Sequence, residues 1–289
     1  MDFIKEAITE WLKEILTSGI ISNLSGMFDT VNEKVADISG QVGMTPAAWN
    51  SSIFSMVENL SESVIMPIAG LILTFVACYE LIQIIVDKNS LHDVDTWIFF
   101  KWVFKTMVAV MLVTNTWNIV MGVFDMAQSV VSSASGIVVG NTGIDISSIM
   151  VDMESRLMAM DVGALFGLWF QSLFVGITIW ALVICIFVIT FGRMIEIYLV
   201  TSVAPIPMAT MANREWGSMG QNYLKSLLAL GFQGFLILVC VAIYAVLVQN
   251  IATETDISKA IWTCMGYTVL LCFTLFKTGS LAKSVFTAH

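Results

Sequence analysis

Residues 163–191 read GALFGLWFQSLFVGITIWALVICIFVITF, a run of 29 positions without a charged side chain. An α-helix needs roughly 20 consecutive apolar residues to cross the hydrocarbon core of a bilayer. This run exceeds that length, so it predicts a transmembrane helix. Further apolar runs predict spans over about 64–86, 100–121, 226–249 and the shorter 260–276.

The composition of the whole chain agrees with several spans. Of its 289 residues, 57% are apolar and only 12% are charged, and the mean hydropathy is +0.86. Soluble domains are about half apolar and about a quarter charged. The sequence therefore predicts an all-α polytopic helical membrane protein. Its net charge of −9 argues against a basic nucleic-acid groove, although it does not exclude DNA passing through an oligomeric pore.

The residues that carry enzyme chemistry are scarce. All five cysteines fall inside apolar runs, and the two histidines are too few for a His-based metal site. The chain has neither a P-loop nor a GxSxG motif. The adjoining sequences KTG (277–279) and SLAK (280–283) are chance matches, because penicillin-binding proteins carry such motifs in the other order and far apart. We expect no catalytic, cofactor or metal residues, and no small ligand beyond bound lipid.

The first 63 residues predict an amphipathic helical region that precedes the spans. Residues 2–16 place apolar side chains 3, 4, 7 and 8 positions apart, which is typical of an amphipathic helix. The polar face is net acidic, whereas anionic lipids favour a basic one. A partner or a neighbouring subunit is therefore as good a surface for this helix as the membrane. A second amphipathic run ends at a pair of glycines, and Thr45 and Pro46 then predict the start of a new helix.

Charge counting decides how many times the chain crosses the membrane. Cytoplasmic segments carry an excess of Lys and Arg. With the N-terminus outside and 193–225 held on the cytoplasmic side, eight of the 13 Lys and Arg lie inside or at the inner boundary. If 193–213 crossed completely, only five would lie inside. The sequence thus predicts about five spans, a cytoplasmic C-terminus, and a proline-broken re-entrant or interfacial segment.

This topology makes 64–283 a multi-span membrane domain with an external loop at 122–162. The loop is rich in Ser, Gly and Val, and structureless loops of such length are often functional. It is either a flexible linker between spans or a functional segment. Its apolar triplet Ile137, Val138 and Val139 predicts burial in a ring or the lining of an external constriction.

Polar residues inside the spans are the main candidate functional positions, since each is costly in lipid. Glu80 and Gln83 lie three apart on one span, and Asn115 and Asn118 do so on the next. They predict a hydrated pathway or a subunit interface, with hydrogen bonding between helices as the alternative.

Small residues form a second candidate surface. Ala159, Gly163 and Gly167 repeat every four positions into the third span, a spacing that lets helices approach closely. This contact is either within the chain or between copies of it.

Residues 193–216, RMIEIYLVTSVAPIPMATMANREW, combine charges and prolines with an apolar sequence. Arg193 and Glu196 are one helical turn apart and predict an ion pair at the inner boundary. Pro205 and Pro207 each remove a backbone donor and disfavour helix before them. Broken backbone at membrane depth must be packed in protein or line a cavity, so these four residues and Arg214 are candidate pathway or interface positions.

The order of these motifs resembles a known family. An apolar span, Arg-x-x-Glu, APIPMA, NREW and then YLKSLLALGFQG resemble the TrbL-type inner-membrane subunits of bacterial type IV secretion systems, which act in conjugation. The likeness covers 60–283 in topology and 190–235 in motif. Arg193, Glu196, Pro205, Pro207, Arg214 and Gly220 occupy the family's stretch, and none is catalytic there.

The resemblance implies a multi-pass subunit of the cytoplasmic membrane with its N-terminus outside. It also implies a ring-like homo-oligomer that meets other secretion subunits and cytoplasmic ATPases, and that helps to move a transient DNA–protein substrate. Two alternatives stay open: a secondary transporter with a broken helix at its substrate site, and a small ion channel or holin-like pore.

Overall fold

The structure, a computed structural model, describes residues 2–87, 96–142, 147–211, 213, 215–251, 254 and 256–288. Regular structure within these residues is entirely helical, which confirms the predicted all-α class. In chain order the helices are α1 Asp2–Val42, α2 Pro46–Trp49, α3 Ser51–Leu60, α4 Met66–Asp87, α5 Thr96–Thr114, α6 Thr116–Thr142, α7 Ser147–Met158, α8 Val162–Ser202, α9 Pro205–Thr210, α10 Gly217–Ile251 and α11 Ile257–Val285. A π-helical turn, Ser61–Ile65, connects α3 to α4.

Five helical stretches in the described part of the chain are long and apolar enough to cross a membrane, as predicted. They are Ser51–Val86, Trp97–Thr114, Val162–Ser202, Gly217–Ile251 and Ile257–Val285. The third stretch is longer than the sequence suggested, because α8 continues through Arg193 and Glu196 to Ser202. The helical path therefore breaks at 203–204, some ten residues after the predicted start of the broken segment.

The second span also differs from its prediction over 100–121. Helix α5 ends at Thr114, and α6 begins at Thr116. The side chains of Thr114, Asn115 and Thr116 all donate to carbonyls three or four residues back, between Val110 and Val113. Such bonds compete with the helical ladder and bend helices, which explains an interruption at this point.

Most of the predicted external loop at 122–162 is helical and lies in α6 and α7, and its external position stays a prediction. Its Ser- and Gly-rich composition suggested a loop. However, Phe124, Ala127 and Val131 are buried at spacings of three and four, which is the pattern of a packed helix.

The N-terminal region contains one long helix where two were predicted. Helix α1 runs unbroken for 41 residues. The predicted new helix does begin at Pro46, and the Thr45 hydroxyl accepts a hydrogen bond from the Ala48 N–H (3.2 Å). Asn50 caps α3 in the same way, through the Ile53 N–H (3.0 Å).

The chain divides into two compact units. The first unit comprises 1–42, 131–190 and 235–278. Its core buries one face of α1 from Leu16 to Val42 against apolar side chains of α8, α10 and α11. Trp169 lies against Gly19, where an added Cβ would be 2.8 Å from the indole nitrogen.

The second unit comprises 43–130, 191–234 and 279–289. Tyr198 holds α2 in this unit, since the Tyr198 hydroxyl donates to the Pro46 carbonyl (2.7 Å). Trp49 packs edge-on against Phe191. Helix α9 lies against α4 and α5 in this unit.

Candidate functional site

The proline-broken segment is packed in protein. Both prolines of α9 are buried, and Pro205 occupies its first turn, where a missing N–H is tolerated. Met208 and Ala209 share an apolar cluster with residues of α4 and α5, namely Ala69, Leu73, Ala109 and Val113. This packing meets the requirement that irregular backbone in a membrane protein be covered by protein or water.

A glycine allows the next helix to return closely past α9. A Cβ at Gly220 would lie 2.6 Å from the Pro207 carbonyl oxygen and would also collide with the Met211 side chain. At Gly217 a Cβ would be 3.3 Å from the Met211 carbonyl oxygen. The first turn of α10 therefore packs directly on the backbone that follows the prolines.

The residues between α9 and α10, here called the connector (Met211, Asn213, Glu215 and Trp216), are held by a polar network. The Asn213 side-chain oxygen accepts from the backbone N–H groups of Glu215 (2.7 Å) and Trp216 (3.1 Å). Its amide nitrogen donates to the Glu80 carboxylate of α4 (2.8 Å). The same carboxylate forms an ion pair with Lys105 of α5. Glu80 thus joins α4, α5 and the connector.

A second set of contacts fixes the other end of the connector. The Gln83 amide donates to Glu215 (2.8 Å), and the Tyr79 hydroxyl donates to the same carboxylate (3.4 Å). The Trp216 ring stacks with Phe75 and Tyr79, at centroid distances of 5.7 and 6.2 Å. One face of α4 therefore supplies both the polar and the aromatic contacts that hold the connector.

Arg193 is a buried cation within a membrane span, with 6% of its surface exposed. Its Nε donates to the Leu230 carbonyl (3.2 Å) and its Nη2 to the Gly231 carbonyl (3.3 Å), both on α10. At Gly231 an added Cβ would be 2.9 Å from the Ala127 Cβ of α6. Burying a charge is costly unless it is hydrogen-bonded, so these bonds hold α8 against α10 at a point where α6 also packs closely on α10.

Arg193 and Glu196 do not form the predicted ion pair with each other. Arg193 is directed to the two α10 carbonyls, whereas the Glu196 carboxylate pairs with Lys283 of α11 (3.2 Å). The two side chains are three residues apart on α8, but one is buried and the other is half-exposed. The sequence spacing suggested a local pair, and the burial of Arg193 separates their surroundings.

Comparison with known proteins identifies the family. The sequence model described as "TrbL/VirB6 plasmid conjugal transfer like protein" matches residues 31–205, which is more than half of the chain. The chain belongs to the TrbL/VirB6 family. No curated protein and no solved structure matches it. The chain is accordingly a component of a conjugal transfer system, in a family of membrane structural components.

The match includes Arg193, Glu196 and Pro205, but it ends before the connector and α10. In this TrbL/VirB6 chain Glu80 and Gln83 come together with the connector. Their predicted role as a pathway or interface stays a prediction. Arg214 lies outside the described residues.

The other predicted site residues are dispersed. Asn115 and Asn118 are exposed, and the Asn115 amide donates back to the Met111 carbonyl (2.9 Å). Ile137 and Val138 lie in α6, with Ile137 exposed and Val138 packed against the core of the first unit. Nothing is described of the Val139 side chain. The predicted constriction is therefore placed in a helix, and its pore-lining role stays a prediction.

The predicted small-residue stripe needs a correction. Ala159 follows the end of α7, so it does not share a helix with the other two residues. A Cβ at Gly163 would be 3.2 Å from the Asp161 carboxylate, and one at Gly167 would meet no atom within 4 Å. No described residue thus packs closely on Gly167, and a contact between copies stays a prediction.

Sequence reasoning missed Lys105, Asn213, Glu215 and Trp216. The sequence did contain a signal for Lys105, since Glu80 and Lys105 are opposite charges in consecutive apolar spans. Charges in lipid tend to pair with one another. The partners of Asn213 carried no such signal, because they depend on how the connector folds back onto α4.

Proposed function

We propose that the chain is a channel or scaffold subunit of a conjugative type IV secretion system. It assembles as a homo-oligomer in the bacterial cytoplasmic membrane and helps to move a DNA–protein substrate across it. Other secretion subunits and cytoplasmic ATPases are its further partners. Membership of the TrbL/VirB6 family supports the setting, and one feature of α8 supports the assembly.

That feature is the length of the exposed apolar stripe on α8. Exposed apolar side chains recur every three or four residues, with one gap between Val188 and Ile195, from Phe166 to Leu199 on one side of the helix. At a rise of roughly 1.5 Å per residue the stripe is about 50 Å long. The hydrocarbon core of a bilayer is about 30 Å thick.

Tilting does not remove this excess. A helix inclined by about 40°, the upper end of the usual range, crosses the core in about 39 Å. Roughly 10 Å of the stripe therefore extends beyond the hydrocarbon core. Large apolar surface outside that core marks a protein interaction site, which supports a contact between part of α8 and a neighbouring subunit.

Site-specific photo-cross-linking tests this arrangement. A photoreactive residue is placed in turn at Phe166, Phe170, Ile177, Ile184 and Leu199 in cells that carry the transfer system. We expect protein cross-links at one end of the series and lipid adducts over the rest. Lipid adducts at all five positions would contradict the proposed assembly.

Particle mass and DNA transfer separate this function from the alternatives. We expect a discrete higher oligomer on detergent extraction, and loss of conjugation when the gene is deleted, restored by the full chain. A monomer that is stabilised by a small solute would instead favour a secondary transporter. Ion flux from the purified chain alone, with normal transfer in the deletion strain, would favour a pore.

The proposed orientation has its own test. Reporters fused after Asn141 and after Ala288 should lie on opposite sides of the membrane, with Asn141 outside. Reporters on the same side would contradict five spans with a cytoplasmic C-terminus.

A further inference from the structure

Helix α1 carries two apolar faces that point in different directions. From Leu16 to Val42 one apolar face of the helix is buried in the core of the first unit. Before that point they are exposed: Ile4 64%, Ile8 52%, Trp11 59% and Ile15 48%. Both groups belong to one continuous helix.

Helical geometry shows that the exposed apolar side chains before Leu16 point away from the core of the first unit, so this core does not cover them. At about 100° per residue, the side chains of Ile4, Ile8, Trp11 and Ile15 cluster around one direction. The buried positions Leu16, Ile20, Leu24, Met27, Val31, Val35, Ile38 and Val42 cluster about 160° away from it. The apolar face changes sides between Ile15 and Leu16, so the first four turns present their apolar side chains away from the core.

Lipid is a poor cover for this face. Gly19 lies against Trp169, and the Asn23 amide donates to the Ser172 hydroxyl (2.8 Å), so α1 and α8 run in the same direction. The first turns of α1 therefore extend beyond Val162, where the apolar sequence of α8 begins. There Lys13 donates to the Met158 carbonyl at the end of α7 (3.3 Å).

The charges of this region also point to an aqueous setting. Helix α7 carries Asp152, Glu154 and Arg156. The polar face of the first turns of α1 holds Glu6, Glu10 and Glu14 against Lys5 and Lys13. Anionic lipid surfaces favour basic helices, and a helix that continues along a membrane span does not lie flat on the bilayer. A protein surface is the cover that fits.

The spacing of the exposed face is that of a helix that packs on other helices. Ile4, Ile8, Trp11 and Ile15 are separated by four, three and four residues, which is the core spacing of a coiled coil. Ala7 and Leu12 flank it at the positions that usually carry charges in two-stranded coiled coils. The wider apolar face is that of a bundle helix with more than one neighbour.

We propose that this face, the α1 seam (Ile4, Ala7, Ile8, Trp11, Leu12 and Ile15), is covered by the same face of other copies of the chain. The first turns of α1 then form a parallel helix bundle around the symmetry axis of the oligomer. This inference rests on the proposed homo-oligomer and names one surface that assembles it. Because the rest of α1 is already packed, little further ordering opposes the bundle.

Photo-cross-linking in the full-length protein tests the seam. A photoreactive residue is placed at Ile8 or Trp11 in the seam, and at Glu6 or Lys13 on the opposite face as matched controls. We expect a ladder of cross-linked chain multimers from the two seam positions and no such ladder from the two control positions. Equal ladders from both faces, lipid adducts at the seam, or seam cross-links only to a different protein would each overturn the proposal.

A charge placed in the seam gives a second, independent measurement. Ile8→Asp should shift the extracted particle toward the monomer, whereas Thr9→Asp, on the polar face, should leave its mass unchanged. Both positions precede the buried part of α1, so circular dichroism should be the same for both. An oligomer that survives Ile8→Asp overturns the seam but leaves the proposed function standing. A wild-type monomer contradicts the homo-oligomer itself.

Discussion

Gly220 is the residue at which one added methyl group has the clearest consequence. A Cβ there would lie 2.6 Å from the Pro207 carbonyl oxygen. That oxygen belongs to buried backbone in α9, so it has little room to move. Overpacking of this kind costs about 1–3 kcal/mol. We expect Gly220→Ala to lower the melting temperature of the detergent-solubilised protein.

Gly122 provides the matched control in the same unit. It lies in α6, and an added Cβ would meet no atom of the described residues within 4 Å. Alanine is the better helix former by about 1 kcal/mol, so Gly122→Ala should leave the melting temperature unchanged or raise it. Equal melting temperatures for the two variants would show that α10 does not depend on the close approach at Gly220.

Arg193 is held by geometry as well as by charge. Two different nitrogens of its guanidinium donate to two successive α10 carbonyls. A lysine keeps the charge but has a single ammonium that cannot reproduce this fork. Arg193→Lys should therefore cost about 1.5–3 kcal/mol, the contribution of one hydrogen bond to a charged group, measured by denaturant titration in mixed micelles.

The control for this substitution is Arg156→Lys. Arg156 forms an exposed pair with Asp152 on α7, and exposed pairs contribute at most about 1 kcal/mol. Its replacement should change stability by no more than about 0.5 kcal/mol. If Arg193→Lys is equally mild, the buried guanidinium does not hold α8 to α10.

At the scale of elements, the connector is a short irregular segment whose order depends on α4. Glu80 accepts from Asn213 and pairs with Lys105. Glu80→Ala removes both contacts and leaves the Asn213 amide without its acceptor. Losing about 1.5–3 kcal/mol of local stability should speed hydrogen exchange in 213–219 roughly 10- to 100-fold.

Glu62→Ala is the comparison for this measurement. Glu62 is an exposed carboxylate in the π-helical turn before α4, so it should not alter exchange in 213–219. Unchanged exchange in Glu80→Ala would mean that the Trp216 stacking and the Gln83–Glu215 bond hold the connector alone.

The elements differ in how far the sequence could predict them, and the reason is physical. Pro205 and Pro207 act through their own backbone, so the break between α8 and α9 was readable. The five spans depend on composition and length, which are also local properties. By contrast, the Ser- and Gly-rich composition of α6 obscures its helical apolar spacing. The Asn213 side chain that donates to Glu80 lies 133 residues away along the chain. The spacing of Arg193 and Glu196 suggested an ion pair between them. Spacing carries no information about burial, so it could not show that Arg193 is directed to α10 instead.

For the whole molecule, assembly should be measurable as stability. Copies of the chain that bind the native state stabilise it by mass action. Near saturation, a tenfold higher mole fraction of protein in detergent adds up to about 1.4 kcal/mol. For a chain of this size that raises the melting temperature by roughly 2–3 °C. We expect this rise for the wild type and a flat response for Ile8→Asp, with Thr9→Asp behaving as the wild type does. A melting temperature that is constant in all three proteins would contradict a coupling between the α1 seam and the folded state.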